Sequence, residues 1–562
     1  MKKQIKRILA LVLALVLCLG VLAGCEQKPG ETTAPTTKPA ETTKPAETTK
    51  PAETDAPSNL KNTDIYPLDS DKTYDVGIVI SMEDFGEKDC STRWEALTGV
   101  KINYIPWTSE QLNMAFNTNS LPDAVFHSSM DKAKVNEYGE AGMLVDFMDY
   151  MEYMPNFSKA MEKYPETYES IKSADGSVYS LPRLGTTSTT HDNVLIRTDM
   201  MKAAGWDKLP ETDEEFLQCV ADIQAYYGAN DPEFKAFSAY AGNYLLWNAT
   251  YGLVHFFFPT FGDLMRTDLT VDADGNIALG AATEQYQRLM VFLNKLAATD
   301  AWAYGKDIYT EDGTNSKALT IAGKNAVTTV AFYLNESHFP SGNIDLTVLM
   351  PLTSQWQSEK RFDAKSSVFW MLNSINASLP EEDIITLVRW YDSFYAQEDD
   401  PLNEEGTMWG ISYWLGEQGV DYEVNKEEGT YVVLPHEGYE TGPMWMTSNT
   451  PGDCLGLFDW LYSQDSNTGL EALGVGTMQN TYPYKVDSFD INLLSLTQDE
   501  LDIYNDCWTN INAYITEWTA AFITGDKNPE ADWAEYVEGL EAMDLQDVVD
   551  AYQAAYDRYQ AG

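Results

Sequence analysis

The chain has 562 residues, with 37 basic against 87 acidic side chains and a formal charge of −50. So acidic a surface repels nucleic acid and anionic lipid head groups, and the bland reading of it is a solvated, colloidally stable protein. The roughly 500 residues beyond Leu60 exceed one ordinary domain, so two large lobes or three domains are expected.

Lys2, Lys3, Lys6 and Arg7 precede an almost wholly apolar run from Ile8 to Val21. A basic start, a short apolar core and then small residues make a secretory signal, and the core is too short for a comfortable permanent span. Leu22-Ala23-Gly24-Cys25 resembles the lipobox of bacterial lipoproteins. The resemblance implies that residues 1–24 are a signal peptide, that Cys25 is lipidated, and that the mature chain is tethered to the membrane by its lipid anchor. A plain signal peptide with an incidental cysteine is the alternative. Residues 26–59 hold no apolar side chain larger than alanine except proline, and Thr36–Glu53 repeats Thr-Thr-Lys-Pro-Ala-Glu. This segment cannot bury enough surface to offset its ordering entropy. With Cys25 it reads as a disordered linker over 25–59, extended at about 3.1 Å per residue.

The folded part opens with a buried strand at Tyr74–Ser81, a helix over Asp89–Leu97 stopped by Gly99, and a strand at Lys101–Pro106. A helix over Ser109–Asn117 and a strand at Ala124–His127 follow, then a strand at Val178–Leu184. Strands alternating with helices predict an α/β fold with a mostly parallel sheet. Asn193–Gly205 reads as strand, short helix and C′ glycine, and Thr212 with Glu215 fits a capping box on the next helix. The histidines are scattered, and Cys90, Cys219, Cys454 and Cys507 fit no metal spacing. Cys454 and Cys507 either pair or remain two of four separate thiols. There is no Gly-x-Ser-x-Gly elbow, His-Glu-x-x-His, phosphate loop or dinucleotide fingerprint.

Taken in order, Arg197, Asp199, Gly205, Pro210, Thr212, Glu215 and Phe216 form a block that resembles the extracellular solute-binding proteins of family 1. Leu121-Pro122-Asp123, Val178–Pro182, Ile321–Val327, Gly419–Glu423 and Phe522–Gly525 continue the resemblance, the last two toward the long oligosaccharide-binding subgroup. It implies a two-lobed periplasmic-binding-protein-like fold of type II, with 72–190 plus 365–400 as lobe one and 191–364 plus 401–562 as lobe two. It implies a carbohydrate ligand held in the cleft, an ABC permease in the membrane as partner, a monomer, no catalytic role and no cofactor. The expected location is the extracytoplasmic face of a Gram-positive-type cell membrane. A surface sensor or adhesin using the same cleft is the alternative.

Ligands of α/β sheets sit beyond the strand C-termini. That rule selects Met82, Asp84 and Phe85 after the first strand, and His127 and Ser128 after the third. Aromatic faces that stack on sugar rings are offered by Trp247, Tyr333, Trp370 and Trp445, although packing is the commoner use of such side chains. Asp123 reads equally as a ligand contact or a strand-end hydrogen-bonding group, and His127 as a structural histidine. Long members of the family often carry a Ca²⁺ loop; here Gly228–Lys235 lacks its alternating oxygen ligands, and Asp272–Asn276 reads as a hairpin turn, so no metal is expected. The lipidation reading predicts that Cys25→Ala abolishes fatty-acid labelling and releases the protein from membranes or leaves it unprocessed. Fractionation with metabolic labelling checks this, and unchanged retention and labelling would refute it.

Overall fold

The computed structural model describes residues 65–79, 84–185, 192–239, 253–303, 314–331, 345–363, 368–396, 413, 416, 419–425, 430–438, 449, 456–458, 482–486 and 488–561. In the first lobe, β1 (Thr73–Ile78), β2 (Lys101–Pro106) and β3 (Ala124–Ser128) pair in parallel, with β1 in the middle. The strand Leu372–Ile375 returns from far along the chain and runs antiparallel on the outer side of β3. Tyr74, Val76 and Ile78 of β1 point into one cluster with Trp94, Phe126, Trp390 and Phe394. Val125 of β3 faces the other way, into a smaller cluster with Leu112, Phe116 and Leu372. The inner strands of the sheet are therefore covered on both faces, whereas β2 at its edge stays partly exposed.

The local signals in this lobe work as the residues dictate. Helix Asp89–Thr98 stops at Gly99, whose φ of 73° lies in the left-handed region that glycine enters at little cost. Helix Ser109–Asn117 starts with a full capping box between Thr108 and Gln111. The strand expected at Val178–Leu184 is shorter: only Arg183–Gly185 is ladder-paired. Upstream of it, Ser180 Oγ donates to Met371 O at 2.8 Å and Leu181 N to Asn373 O at 3.1 Å. Side-chain bonds there replace a regular ladder.

The second lobe has a four-stranded sheet ordered Leu346–Val348, Asp192–Arg197, Val327–Ala331 and Phe237–Ala239. Asp192–Arg197 is antiparallel to both neighbours, and the last two strands are parallel. Arg197 grips Asp199 with two hydrogen bonds of 3.0 and 2.5 Å, and helix Thr198–Ala203 ends before Gly205, whose φ is 96°. Thr212 caps helix Asp213–Gly228 by accepting from Glu215 N at 3.1 Å, but Glu215 reaches back to Glu211 N, so only half of the expected capping box forms. Three C-terminal helices, Gln498–Thr524, Trp533–Glu541 and Leu545–Ala561, complete the same core.

Packing corrects one boundary. Residues after 400 were expected wholly in lobe two, yet Tyr413, Tyr422 and Val433 are buried in the lobe-one cluster. Among the described residues the chain changes core between 185 and 192, between 363 and 368, and again between Val433 and Ile491. Short sheets brace these passages: Arg183–Gly185 pairs with Val368–Phe369 and Gly456–Phe458, and Phe362–Asp363 pairs with Lys485–Val486. Cys90, Cys219 and Cys507 are free thiols, and Cys454 lies outside the described residues.

Asp392, fully buried, accepts hydrogen bonds from Asn156 N (3.3 Å), Asn156 Nδ2 (2.8 Å) and Phe157 N (2.8 Å) at the start of helix Pro155–Lys163. Burial pushes its carboxyl up to about 7, against the pull of these donors. An unfolded aspartate titrates near about 3.9, so between about pH 4 and 7 the folded state binds the extra proton. In that window this group makes stability fall as pH rises, by at most about 1.4 kcal/mol per pH unit. Melting curves across that range are expected to show a flatter slope for Asp392→Asn than for wild type; identical slopes would refute the assignment.

Candidate functional site

The C-terminal ends of β1, β2 and β3 form one edge of the lobe-one sheet. Because Leu372–Ile375 is antiparallel, its N-terminus lies on the same edge, with Leu372 opposite Ser128. Asn373 organises this edge. It is fully buried; its Oδ1 accepts from His127 N at 2.8 Å, and its Nδ2 donates to Leu181 O at 2.8 Å. Its own N–H donates to Ser180 Oγ at 2.7 Å. The backbone leaving β3 and the segment leading to the first crossing are thus held by one amide.

His127 sits at φ 47°, half-buried, at the turn out of β3. Ser128 Oγ accepts from Val79 N at 3.3 Å and donates to Phe126 O at 3.1 Å, so it ties β3 to the end of β1. Trp370 lies on the same edge; its Nε1 donates to Met130 O at 2.8 Å and its half-buried ring packs on the smaller cluster. Asp84 is exposed at φ 53° beyond β1. His127, Ser128 and Trp370 therefore share the edge that the strand rule selects.

Two candidate contacts are placed elsewhere. The Phe85 ring is buried in the larger cluster, edge-on to Tyr104 at 4.9 Å, so it serves packing. Asp123 stands at the N-terminal end of β3, on the opposite edge, where Asp75 N donates to its Oδ2 at 2.8 Å. Its hydrogen bonds fill the strand-end role. Met82, Trp247, Tyr333 and Trp445 lie outside the described residues.

At the lobe-two foot of the second crossing, buried Asp363 accepts from Arg266 Nε at 3.1 Å and Ser488 Oγ at 2.5 Å, with His255 Nε2 at 3.8 Å. Burial raises this carboxyl and Arg266 pulls it back. The lobes also meet directly, where Ser495 Oγ donates to Lys172 O at 2.8 Å beside helix Glu166–Ile171. Asn373 and Asp363 had no sequence signal beyond lying on either side of a short apolar strand pair. An isolated buried Asn or Asp looks like any other until its partners are known.

The Asp272–Asn276 segment is the hairpin turn expected, between strands Leu269–Val271 and Ile277–Leu279. Asp272 Oδ1 accepts from Asp274 N (2.9 Å) and Asn276 N (2.8 Å), and Gly275 takes φ 85°. In the other acidic loop, Lys324 pairs with both Asp231 and Glu233. An ammonium supplies there the positive charge that a cation would bring.

Two α/β lobes joined by three chain passages among the described residues have the fold of two-lobed solute-binding proteins. No protein-family model matches the chain. It is 24% identical over 502 residues to the fructooligosaccharide ABC transporter substrate-binding protein FusA of Streptococcus pneumoniae, covering 86% of this chain and 89% of that protein. The solved structure of the S. pneumoniae FusA in complex with kestose superposes with a TM-score of 0.67 at 22% identity, over 87% of this chain and all of that one. A human-milk-oligosaccharide (HMO)-binding, ABC-transporter-associated solute-binding protein from Bifidobacterium longum infantis gives 0.70 at 15% identity, over 87% and 99%. These relatives are substrate-binding or solute-binding proteins associated with ABC transporters, the same group that the sequence motifs resemble.

Asp272 is satisfied within its turn and Asp231 and Glu233 are paired by Lys324, so removal of divalent metal should leave the fold untouched. Melting temperature is expected to be the same with and without EDTA. A drop reversed specifically by Ca²⁺ would show that a cation site exists.

Proposed function

We propose that the chain is an extracytoplasmic, lipid-anchored substrate-binding protein that captures an oligosaccharide between its lobes and delivers it to an ABC permease. The observation that carries the reading is the edge held by Asn373, where a fixed indole and polar groups stand at the strand C-termini beside the chain passages. Such an edge binds the apolar face of a sugar ring and its hydroxyls without reacting with either. Hinged lobes joined by several passages close on what they hold. The FusA and B. longum relatives support a carbohydrate, and the charge of −50 favours a neutral one over a polyanion. Cys25 supplies the anchor and residues 26–59 the tether through a Gram-positive-type wall, and the protein acts as a monomer.

A thermal-shift screen over mono-, oligo- and uronosaccharides tests this, because a ligand that binds only the folded state raises its melting temperature. A neutral oligosaccharide is expected to give the largest shift. A polyuronate with affinity that falls steeply with salt would overturn the neutral-ligand reading. By calorimetric titration, Trp370→Ala should weaken binding by about 2 to 4 kcal/mol, roughly 30- to 1000-fold. Its stability loss should be smaller than that of Trp94→Ala, a fully buried tryptophan for which about 3 to 5 kcal/mol is typical.

A further inference from the structure

Gly77 is an anomaly in β1. It stands in the strand interior between Val76 and Ile78, and its backbone is not in the left-handed region that would require glycine. Glycine in a strand loses packing and costs chain entropy, so its presence marks a close approach. What approaches is Trp107, the first residue after β2. A Cβ on Gly77 would meet Cζ3, Cε3 and Cη2 of that indole at 2.5, 2.8 and 2.9 Å. The benzenoid part of the indole therefore lies against the bare backbone of β1.

The seat is fixed from both sides. Trp107 N donates to Ile78 O at 2.8 Å, which carries the β1–β2 ladder one residue past the strand end. The ring then packs on the small cluster whose rim also holds Trp370 and Val79. The two indoles differ in one respect. Trp370 spends its N–H on Met130 O, whereas Trp107 makes no hydrogen bond through its indole N–H among the described residues. Trp107 is only half-buried, and it sits on the ligand-side edge of the sheet.

We propose that Trp107, seated on Gly77, is a sugar-stacking platform of lobe one, its N–H donating in the ring plane to a hydroxyl of the adjoining sugar unit. This rests on the carbohydrate reading above. A rigid aromatic face beside a donor with no partner among the described residues suits an oligosaccharide, which offers C–H groups on its ring faces and hydroxyls around their rims. Rigidity adds to affinity, because the ring has no rotamer freedom left to lose on binding. Gly77 is then a specificity device at one remove: it sets the height of the platform.

The test is calorimetric titration of the full chain with a panel of kestose, maltotriose and lactose, with melting curves on each variant. Trp107→Ala is expected to weaken the saccharide that wild type binds by about 30-fold or more. Trp107→Phe, which keeps a face but loses the N–H, should weaken it less and should melt close to wild type. Gly77→Ala, which leaves Trp107 in place but displaces its ring, should also lose affinity. Wild-type binding with unaltered affinity in both Trp107 variants would overturn the platform and leave the carbohydrate reading standing. A wild type that binds no saccharide of the panel would overturn both.

Discussion

The buried amide of Asn373 is the constraint on which this architecture turns. A side-chain amide with no access to water must find its partners inside the protein, or cost the fold the full desolvation of each unpaired group. Here the partners are the N–H of His127, at the exit of β3, and the carbonyl of Leu181, on the way to the first crossing. Three stretches distant in sequence are thereby brought into register at one edge of one sheet. The antiparallel strand, the β3 exit and the approach to lobe two cannot move independently without breaking these bonds. The ligand-side edge is consequently a rigid feature, although it is built from segments that arrive from different parts of the chain.

The second crossing is held differently. Asp363 is paired with Arg266 in a site almost closed to water. Buried ion pairs are a poor source of net stability, since desolvation consumes most of the Coulomb gain, but removing one partner leaves a charge stranded. A pair of this kind at the foot of a chain passage has a geometric use. Arg266 and Ser488 fix the direction in which Asp363 points, and Ser488 belongs to the segment that pairs with the Asp363 strand. Both the outgoing and the returning chain are thus anchored on one carboxylate in lobe two.

How much of this was legible from the sequence depended on the range of the interaction. Signals confined to one helix turn read directly: Gly99 and Gly205 as helix stops, Thr212 as a cap, Asp272–Asn276 as a turn. The parallel lobe-one sheet followed from the alternation of apolar strands with helices. What failed was long-range. Phe85 sits where a ligand contact would, but its ring has a partner in Tyr104 that only the folded sheet brings near. Asp123 was read evenly as a ligand contact or a strand-end group, and what decides for the strand end is Asp75, its neighbour only once β1 and β3 pair. Tyr413, Tyr422 and Val433 return to lobe one through packing that no local pattern encodes. The edge residue Asn373 carries no period, motif or charge of its own.

The polar character of the contact between Ser495 and Lys172 has a thermodynamic consequence for capture. When the lobes separate there, a hydroxyl and a carbonyl exchange each other for water, an exchange worth only about 0.5 to 1.5 kcal/mol net. That contact by itself holds neither arrangement of the lobes strongly. The populations of the two arrangements then lie within a factor that a bound molecule can reverse through its own differential contacts. If the competent arrangement were occupied about one-tenth of the time, the apparent affinity would be tenfold below the intrinsic one. The same tax works in reverse: anything that favours the separated arrangement by as little shifts the populations the other way.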